Sequence, residues 1–378
     1  MKYKLGEIST FSQGKQVEVN EQSLKKDSEH PIRFIRIVDY TNSEEPVRYI
    51  RDFGKRYFAT ENDVIMIRYG SQTAGKVVMG MNGIIANNMF KMTFDNNIIE
   101  NKYAYYYLSQ KKIYNYLRLS QSSSTMPAIS FNILKDFEID IPTIEVQKKI
   151  IKILNIIEDK IKYNTHINNN LYEIMKRFFD NWVNNLDNYE ESSLSKIANY
   201  INGLAMQKYR AKNEIGLPVI KIKEMNEGIT DNTERCSSNI KEDYIIENGD
   251  ILFAWSGTLC MTIWAQGKAG LNQHIFKVQS KKYPKWFYYL WTEYYLGKFV
   301  EIAAGKATTM GHIKRKELDT AKVKIPIKKE MDKMDRIMQP MLDKYINNKI
   351  NNETLKQVRD TLLPKLMNGE IDLDKIEI

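Results

Sequence analysis

The chain has 378 residues, with 56 Lys+Arg against 47 Asp+Glu and a formal net charge of +9. The length leaves room for two domains with good cores, and the charge favours a polyanionic partner without establishing one. Two cysteines, Cys236 and Cys260, exclude a disulfide framework and favour a reducing, cytoplasmic compartment. The N-terminus has no apolar signal core and no stretch reaches the length of a membrane span, so we expect neither export nor membrane insertion.

The first 142 residues are predicted to form a mixed α and β globule. Short β-branched and aromatic runs, broken by Gly, Asn and Asp, predict strands at 34–38, 64–67, 76–79 and 89–94. A tyrosine-rich segment predicts a helix over 101–119, and Pro142 ends a last strand.

A long helix is predicted to follow Pro142. Its apolar positions alternate in steps of four and three, which is the heptad spacing of a coiled coil. Asparagines within such a seam lower its stability but can fix the register of the partner helix. The seam positions are Ile150, Leu154, Ile157, Ile161, Asn164, Asn168, Leu171, Met175, Phe178 and Trp182.

The second half of the chain repeats the first. The segment TMPAISFNILKDFEIDIP at 125–142 returns as TMGHIKRKELDTAKVKIP at 309–326, a shift of 184 residues. Other stretches match in the same order, for example FIRI at 34–37 with VIKI at 219–222, and DVIMIRYGS from Asp63 with DILFAWSGT from Asp250. Chance similarity of apolar strings would not keep this order, so we interpret the chain as a duplicated module suited to a partner with two halves.

The repeat predicts a second globule and a second long helix. Strands are expected at 219–222, 251–255, 261–264 and 275–278, a helix near 286–303, and a strand end at Pro326. The matching helix seam is Met334, Met338, Met341, Tyr345, Asn348, Asn352, Leu355, Arg359, Leu362 and Leu366. In an antiparallel pair, Asn164 would lie near Asn352 and Asn168 near Asn348.

Two positions of the second helix depart from the pattern. Arg359 occupies an apolar seam position, and its neighbour Val358 is expected to take its place. Pro340 predicts a kink or a late helix start. The resulting division is a globule at 1–142, a helix at 143–185, a globule at 186–326, a helix at 327–367, and a tail at 368–378 whose end is expected to return to the first globule.

The whole chain resembles the DNA-specificity subunit of type I restriction–modification systems. The ending RDTLLPKLMNGEIDL at 359–373 is close to that family's ending, and GKATTMGHI from Gly305, with its counterpart SSSTMPAI from Ser122, fits the family pattern. The helix entry IEVQKKIIKIL at 144–154 is similar, although Val146 stands where the family usually has Glu. The segment IKKEMDKMDRI from Ile327 departs further, which weakens a residue-level transfer at the helix starts.

The resemblance implies an α+β fold of two duplicated target-recognition domains, joined by two long antiparallel coiled-coil helices with pseudo-two-fold symmetry. Each globule would read one half of a split double-stranded DNA site, and the helices would set the gap and bind two methyltransferase subunits. Those subunits would use S-adenosylmethionine to methylate adenine, and restriction/translocase subunits would add an ATP-driven motor and a nuclease. The specificity subunit itself would have no chemistry and no cofactor.

Motifs for catalysis are weak or absent in the sequence. GSQTAGK at 70–76 fits the core of a phosphate-binding loop, but Val77 stands where Ser or Thr would hold magnesium, and a strand rather than a helix is expected to follow. We therefore predict a β-hairpin turn. The chain has no Pro-Pro for an amino-methyltransferase motif, and its four His and two Cys lack metal-ligand spacing.

Candidate DNA contacts come from basic and loop residues, and from positions that differ between otherwise matched loops. Arg68-Tyr69 aligns with Trp255-Ser256; Arg suits guanine and Trp offers stacking, while core packing of Trp255 is an equal alternative. The candidates are Arg33, Arg36, Arg68, Tyr69, Ser122, Ser123, Lys221, Trp255, Ser256, Lys306, Thr308 and Arg315. Two other functions stay open on these residues alone: a stand-alone DNA-binding regulator, and a diverged catalytic subunit.

Overall fold

The computed structural model describes residues 1–42, 45–70, 73–119, 128–212, 215–305 and 311–376. Four of the candidate DNA contacts, Ser122, Ser123, Lys306 and Thr308, lie outside the described residues. The chain divides into two compact units, one of Met1–Ile157 with Val358–Ile378 and one of Glu158–Gln357. Among the described residues, no helix is both long enough and apolar enough to cross a membrane.

The first unit contains three sheets. Two have four strands, in the orders β2-β9-β6-β7 and β4-β3-β8-β5, and the third pairs β1 with β10. The strands are β1 Lys2–Lys4, β2 Ser9–Gln13, β3 Ile32–Ile35, β4 Arg48–Ile50, β5 Phe58–Ala59, β6 Val64–Ile67, β7 Val77–Met79, β8 Gly83–Ile85, β9 Met89–Phe94 and β10 Glu138–Asp140. The helices are α1 Leu5–Ile8, α2 Asn101–Leu108, α3 Lys111–Leu119, α4 Phe131–Lys135 and the first long helix, α5 Ile144–Asn184, which passes into the second unit.

The second unit repeats this topology strand for strand. Its sheets have the orders β12-β19-β16-β17, β14-β13-β18-β15 and β11-β20. The strands are β11 Tyr189–Ser193, β12 Asn199–Asn202, β13 Leu217–Ile220, β14 Arg235–Cys236, β15 Ile245–Ile246, β16 Ile251–Ala254, β17 Cys260–Ile263, β18 Ala269–Leu271, β19 Ile275–Gln279 and β20 Lys322–Pro326. The helices are α6 Leu194–Ile197, α7 Ile222–Glu227, α8 Lys285–Ala304, α9 Arg315–Thr320 and the second long helix, α10 Lys328–Met367. The duplicated α+β architecture expected from the sequence is confirmed.

The central strands of each globule are apolar along their whole length because both of their faces are covered. All four residues of β6 and all four of β16 are buried. The turn after β2 is equally restricted: a Cβ on Gly14 would lie 2.2 Å from the carbonyl oxygen of Ala86, and one on Gly203 would lie 2.2 Å from that of Asn272. Glycine is therefore required at the same place in both globules.

The hairpin prediction at 70–76 is confirmed in the described part of that loop. The amide of Gly75 donates to the carbonyl of Ile67 at 2.8 Å, and the amide of Ile67 donates to the carbonyl of Lys76 at 2.9 Å. Strand β7 then pairs antiparallel with β6. The loop is thus followed by a strand, without the helix N-terminus that a phosphate-binding loop uses.

Two predicted strands end earlier than expected. After β3 the chain turns into a 3-10 helix at Ile37–Tyr40, and after β13 it enters α7. In each case an acidic side chain caps the turn, since Asp39 accepts from the amide of Arg36 at 2.7 Å and Glu224 accepts from that of Lys221 at 3.1 Å. The capping acid three residues ahead outweighs the β propensity of the apolar run.

The helix predicted over 101–119 is instead two helices, α2 and α3, while its counterpart α8 is continuous. The break lies at Ser109 and Gln110. The carbonyl of Gln110 accepts from the amides of Ile113 and Tyr114 at 3.0 Å, which starts a new helix at this point. Gln110 is only 3% exposed, so packing holds the break in place.

The long helices pair antiparallel within the second unit, in the expected register. Nδ2 of Asn164 donates to Oδ1 of Asn352 at 2.9 Å, and Nδ2 of Asn348 donates to Oδ1 of Asn168 at 2.9 Å. All four asparagines are buried. Of the other seam positions there, Ile161, Leu171 and Leu355 are half-buried.

Within the first unit, the seam positions near the ends of the two helices pack into its core. Ile150 and Leu154 are buried there with Leu366, and Ile157 is 8% exposed. Leu362 is half-buried, while its neighbour Leu363 is 9% exposed. The apolar seam therefore continues into both globules.

Two expectations for the seam are wrong. Phe178 is 48% exposed, whereas Phe179 and Val183 are buried, so the seam shifts by one residue after Met175. A straight helix drifts away from a seven-residue repeat, and here Phe179 packs edge-on against Trp291 of α8, with ring centroids 5.2 Å apart. Val358 is 41% exposed and does not replace Arg359, whose guanidinium pairs with Asp360 at 2.8 Å.

Helix α10 starts at Lys328 and runs through Pro340, so a late start is also wrong. It ends at Met367, and Gly369 adopts a φ of +69°, the left-handed conformation typical of helix ends. The tail then packs on the first globule as expected: Nζ of Lys149 lies 2.6 Å from Oδ1 of Asp374, and Ile371 and Leu373 lie against the core.

Candidate nucleic-acid interface

Arg68 and Trp255 occupy the same backbone position in the two globules. The amide of Arg68 donates to the carbonyl of Asn88 at 2.8 Å, and its own carbonyl accepts from Ile129 at 3.0 Å. The amide of Trp255 donates to His274 at 3.2 Å, and its carbonyl accepts from Ile313 at 3.1 Å. The alignment inferred from sequence is therefore also a structural equivalence.

In the first globule, Arg68 lies over two aromatic rings. Its guanidinium carbon is 4.7 Å from the ring centroid of Phe131, at the start of α4, and 5.1 Å from that of Tyr69. Its Nη1 donates to Oε1 of Gln13, the last residue of β2. Phe131 in turn packs edge-on against the buried Phe90, with ring centroids 5.0 Å apart. We call Gln13, Arg68, Phe90 and Phe131 the first cluster.

In the second globule, Trp255 takes the strand-end position. Its Nε1 donates to Oδ1 of Asn202, the last residue of β12, at 2.8 Å, and its ring stacks on Phe276 with centroids 5.6 Å apart. Arg315, at the start of α9, lies 5.9 Å from the Phe276 centroid and donates through Nη2 to the carbonyl of Tyr200 at 3.2 Å. We call Asn202, Trp255, Phe276 and Arg315 the second cluster.

The two clusters have the same backbone arrangement, but the positions of the cationic and aromatic side chains are exchanged between them. Gln13 pairs with Phe90 across β2 and β9, and Asn202 pairs with Phe276 across β12 and β19. The strand end carries the cation in the first cluster and the ring in the second, while the helix start carries the ring in the first and the cation in the second. Each cluster thus has one arginine and one buried phenylalanine. Arg315 lies beside Phe276 directly, whereas Arg68 lies over Phe131, which packs against Phe90.

A concave surface accompanies the second cluster. A cleft of ≈ 400 Å³ is lined by Trp255, Phe276, Arg315 and their neighbours. Arg315 is exposed and Trp255 is half-buried, so this cleft offers a charged group beside an aromatic wall. His312 also lines it, with its ring centroid 6.4 Å from that of Trp255.

The remaining candidates are engaged elsewhere. Arg36 donates to Asp39 at 3.2 Å, to Glu45 at 3.0 Å and to the carbonyl of Pro46 at 2.9 Å. Arg33 lies 3.5 Å from Asp39, and Lys221 lies 2.6 Å from Glu234. Ser256 is 6% exposed, so its side chain presents little surface to a ligand. The chain's own acidic groups thus partner these cations, whereas the Arg68 and Arg315 guanidiniums lie over aromatic rings.

A basic corner of the first globule is absent from the candidate DNA contacts chosen from the sequence. Nζ of Lys15 lies 5.0 Å from the ring of Phe53, the guanidinium of Arg51 lies 4.6 Å from the same ring, and that of Arg56 lies 5.6 Å from Tyr57. Arg51 also lies 3.9 Å from Glu21. The alternation of cations and rings in RDFGKRYF at 51–58 is the sequence pattern that could have identified it.

The region of the second globule that corresponds to the basic corner carries acidic side chains. The 3-10 turn Lys55–Tyr57 corresponds to the 3-10 turn Glu242–Tyr244, since each directly precedes the strand that pairs with β8 or β18. Lys55 and Arg56 therefore correspond to Glu242 and Asp243. Lys15 corresponds to Leu204, because each forms the matched parallel bridge, to Ala86 and Asn272 respectively.

Within the described residues, no group of three or more His, Cys, Asp or Glu side chains is placed to hold a metal ion.

The family model for the type I restriction modification DNA specificity domain matches residues 1–173 and again residues 187–359. The two matches fall on the two halves of the repeat.

Curated relatives and one solved structure give the same picture. The MjaIX type I restriction enzyme specificity subunit of Methanocaldococcus jannaschii is 25% identical over 332 residues, covering 80% of this chain and 76% of the relative. The MjaVIII specificity subunit of the same organism is 22% identical, covering 86% and 82%. A crystal structure of a type I restriction-modification S subunit from M. genitalium has a TM-score of 0.56 at 16% identity, covering 97% of this chain and 95% of that one, which shows a shared fold.

Proposed function

Because this chain belongs to the type I restriction modification DNA specificity family, we propose that it recognises a two-part DNA sequence and directs partner adenine methyltransferase and restriction subunits to it. The chain does no chemistry itself, in keeping with its family. S-adenosylmethionine would be bound by the methyltransferase partner. The observation that carries the proposal is one site architecture built twice, with different side chains each time.

A duplicated protein that reads a symmetric site would be expected to present the same side chains twice. Here the first cluster places Arg68 at the strand end, and the second places Trp255 there, within equivalent backbone hydrogen bonds. Arginine and tryptophan offer different contacts to a base pair, so the two globules are suited to two different half-sites.

A surface for the partner subunits is available on α5. Five large apolar side chains that avoid the seam recur at steps of seven and four, which places them along one side of the helix. Exposed apolar stripes of this kind mark protein interaction sites. They are Ile156 (56% exposed), Tyr163 (65%), Ile167 (40%), Ile174 (41%) and Phe178 (48%). We call this set the α5 stripe and propose that it contacts methyltransferase subunits.

Co-expression with a type I methyltransferase subunit from the same organism tests the proposal. Genomic DNA from the co-expressing cells should carry methylated adenines within a split motif, and the chain alone should transfer no labelled methyl group. Replacing residues 1–142 with the corresponding globule of a relative should change one half of the motif only.

Two results would contradict the proposal. A change in both half-sites after replacing one globule would remove the two-part reading. Specific DNA binding by the chain alone, with no gain on adding the methyltransferase, would favour a stand-alone regulator.

A further inference from the structure

We infer that the first and second clusters are equivalent base-reading sites, and that one guanidinium, from Arg68 in one globule and Arg315 in the other, reads the edge of one base pair in each half-site. This inference rests on the proposed function and assigns it to particular residues. It concerns the duplex base edge as ligand, not the phosphate backbone.

The fold does not require the residues that differ. Both clusters stand on a buried phenylalanine, and in both an amide oxygen at the end of the paired strand accepts a hydrogen bond from the strand-end side chain. The backbone hydrogen bonds on either side of Arg68 and Trp255 are the same. One frame therefore accommodates either an arginine or a tryptophan at this position.

The exchange preserves the guanidinium. Filling the space over Phe90 and Phe276 needs only apolar rings, because the surrounding cores are apolar. Instead, when the strand end loses its arginine, the helix start gains one: Arg315 stands where the first globule has Phe131. A cation retained through a change of backbone origin indicates that the charged fork, rather than the packing, is what each site conserves.

Each guanidinium is held in a defined orientation. Arg68 is tethered by Gln13 and stacked on Phe131, and Arg315 is tethered by the carbonyl of Tyr200 beside Phe276. A guanidinium has five N–H donors in a planar fork, so one tether leaves others for a ligand. A fork fixed by stacking matches the paired acceptors O6 and N7 of guanine in the major groove.

The backbone position of each arginine determines the direction from which its guanidinium approaches the DNA. In the first globule it extends from the end of β6, and in the second from the start of α9 beside the cleft. The two forks therefore address different positions relative to their own globules. This gives the two half-sites different guanine positions without any change of fold.

Reciprocal exchange of each pair is the direct test. One variant combines Arg68→Trp with Phe131→Arg, and the other combines Trp255→Arg with Arg315→Phe. Duplexes bound by each full chain are selected from a randomised pool and sequenced, and thermal unfolding is recorded alongside. The first variant should lose its preference at one base pair of one half-site, by roughly 5- to 150-fold, and leave the other half-site unchanged. The second variant should lose its preference at one base pair of the other half-site and leave the first half-site unchanged.

A conservative variant keeps the test decisive if an exchange variant fails to fold. Arg68→Lys retains the charge but removes the fork, and should lose discrimination at the same single base pair while keeping its overall salt dependence. A folded Arg68→Lys protein, or a folded exchange variant, with unchanged preference at every base pair would overturn the inference. If the unaltered chain showed no sequence preference at all, the proposed function would fail, which is a different result from unchanged preferences in the variants.

Discussion

Asn164 and Asn352 form a buried side-chain hydrogen bond of 2.9 Å between the two long helices. Asn352 also donates to Oγ1 of Thr165 at 3.2 Å, and Asn168 donates to the carbonyl of Tyr345 at 2.9 Å. The polar pairs thus satisfy one another only in this register. A slip by one heptad would bury unpaired amides against apolar side chains, which is the physical basis for a fixed alignment of the helices.

A double-mutant cycle on this pair should measure how strongly the two asparagine side chains are coupled. Asn164→Leu alone removes the donor to Oδ1 of Asn352, which stays buried, and should lower the free energy of unfolding by about 1–3 kcal/mol. Combining it with Asn352→Leu should recover most of that loss, because two apolar groups replace two polar ones. Denaturant unfolding measures both, with the exposed Asn170→Leu as a control expected to change little. An additive double variant would contradict the coupling.

Neighbouring positions on α5 should separate folding from partner binding. Leu154 is fully buried, so Leu154→Asp places an uncompensated charge in the core and should cost several kcal/mol of stability, on the order of 3–5. Ile156 is 56% exposed, so Ile156→Asp should leave thermal unfolding nearly unchanged while weakening co-purification with the methyltransferase. Normal assembly of the Ile156→Asp variant would remove this residue from the contact surface.

The basic corner should contribute salt-dependent affinity from the first globule only. Replacing Lys55 and Arg56 with Gln should lower the slope of log affinity against log salt by about 1.8 units, at roughly 0.9 per lost phosphate contact. The effect should be equal for all DNA sequences, since phosphates carry no sequence information. Replacing the corresponding Glu242 and Asp243 with Gln is the matched control and should not lower the slope. An unchanged slope in the first variant would place the corner away from DNA.

Lys349 should make stability depend on pH in the alkaline range. Its Nζ donates to Oγ1 of Thr262 at 3.0 Å, and burial lowers the pKa of Lys349 from 10.5 to about 8. The folded pKa lies below the unfolded one, so the cost of burying the charge is fully present below about pH 8 and is lost as pH rises toward 10.5. This residue should therefore make the free energy of unfolding increase with pH between about 8 and 10.5.

Comparison of variants isolates this contribution from other titrating groups. Lys349→Met should remove the rising contribution between pH 8 and 10, whereas Met at the exposed Lys333 on the same helix should not. Denaturant midpoints at several pH values measure the difference. A difference between Lys349→Met and the unaltered chain that stays constant with pH would show that Lys349 does not titrate in this window.

Local patterns in the chain were sufficient for much of this fold. Strands Val64–Ile67 and Met89–Phe94 have the predicted bounds, because short apolar runs between turn residues carry their own limits. The internal repeat revealed the duplicated topology, and the matched asparagines predicted the register of an antiparallel pairing of α5 with α10. These features depend on the spacing of residues along the chain, so they could be predicted without knowledge of the tertiary contacts.

Packing between distant segments decided the rest. The seam moves from Phe178 to Phe179 because Trp291 of α8 supplies a wall there, and the helix over 101–119 breaks because Gln110 is buried at its centre. The placement of Arg68 over Phe131, and of Arg315 beside Phe276, joins segments far apart in the chain. Sequence comparison identified Arg68 and Trp255 as a difference between the halves, but only the folded chain reveals that Phe131 and Arg315 complete the exchange, since their proximity arises from long-range packing rather than from spacing.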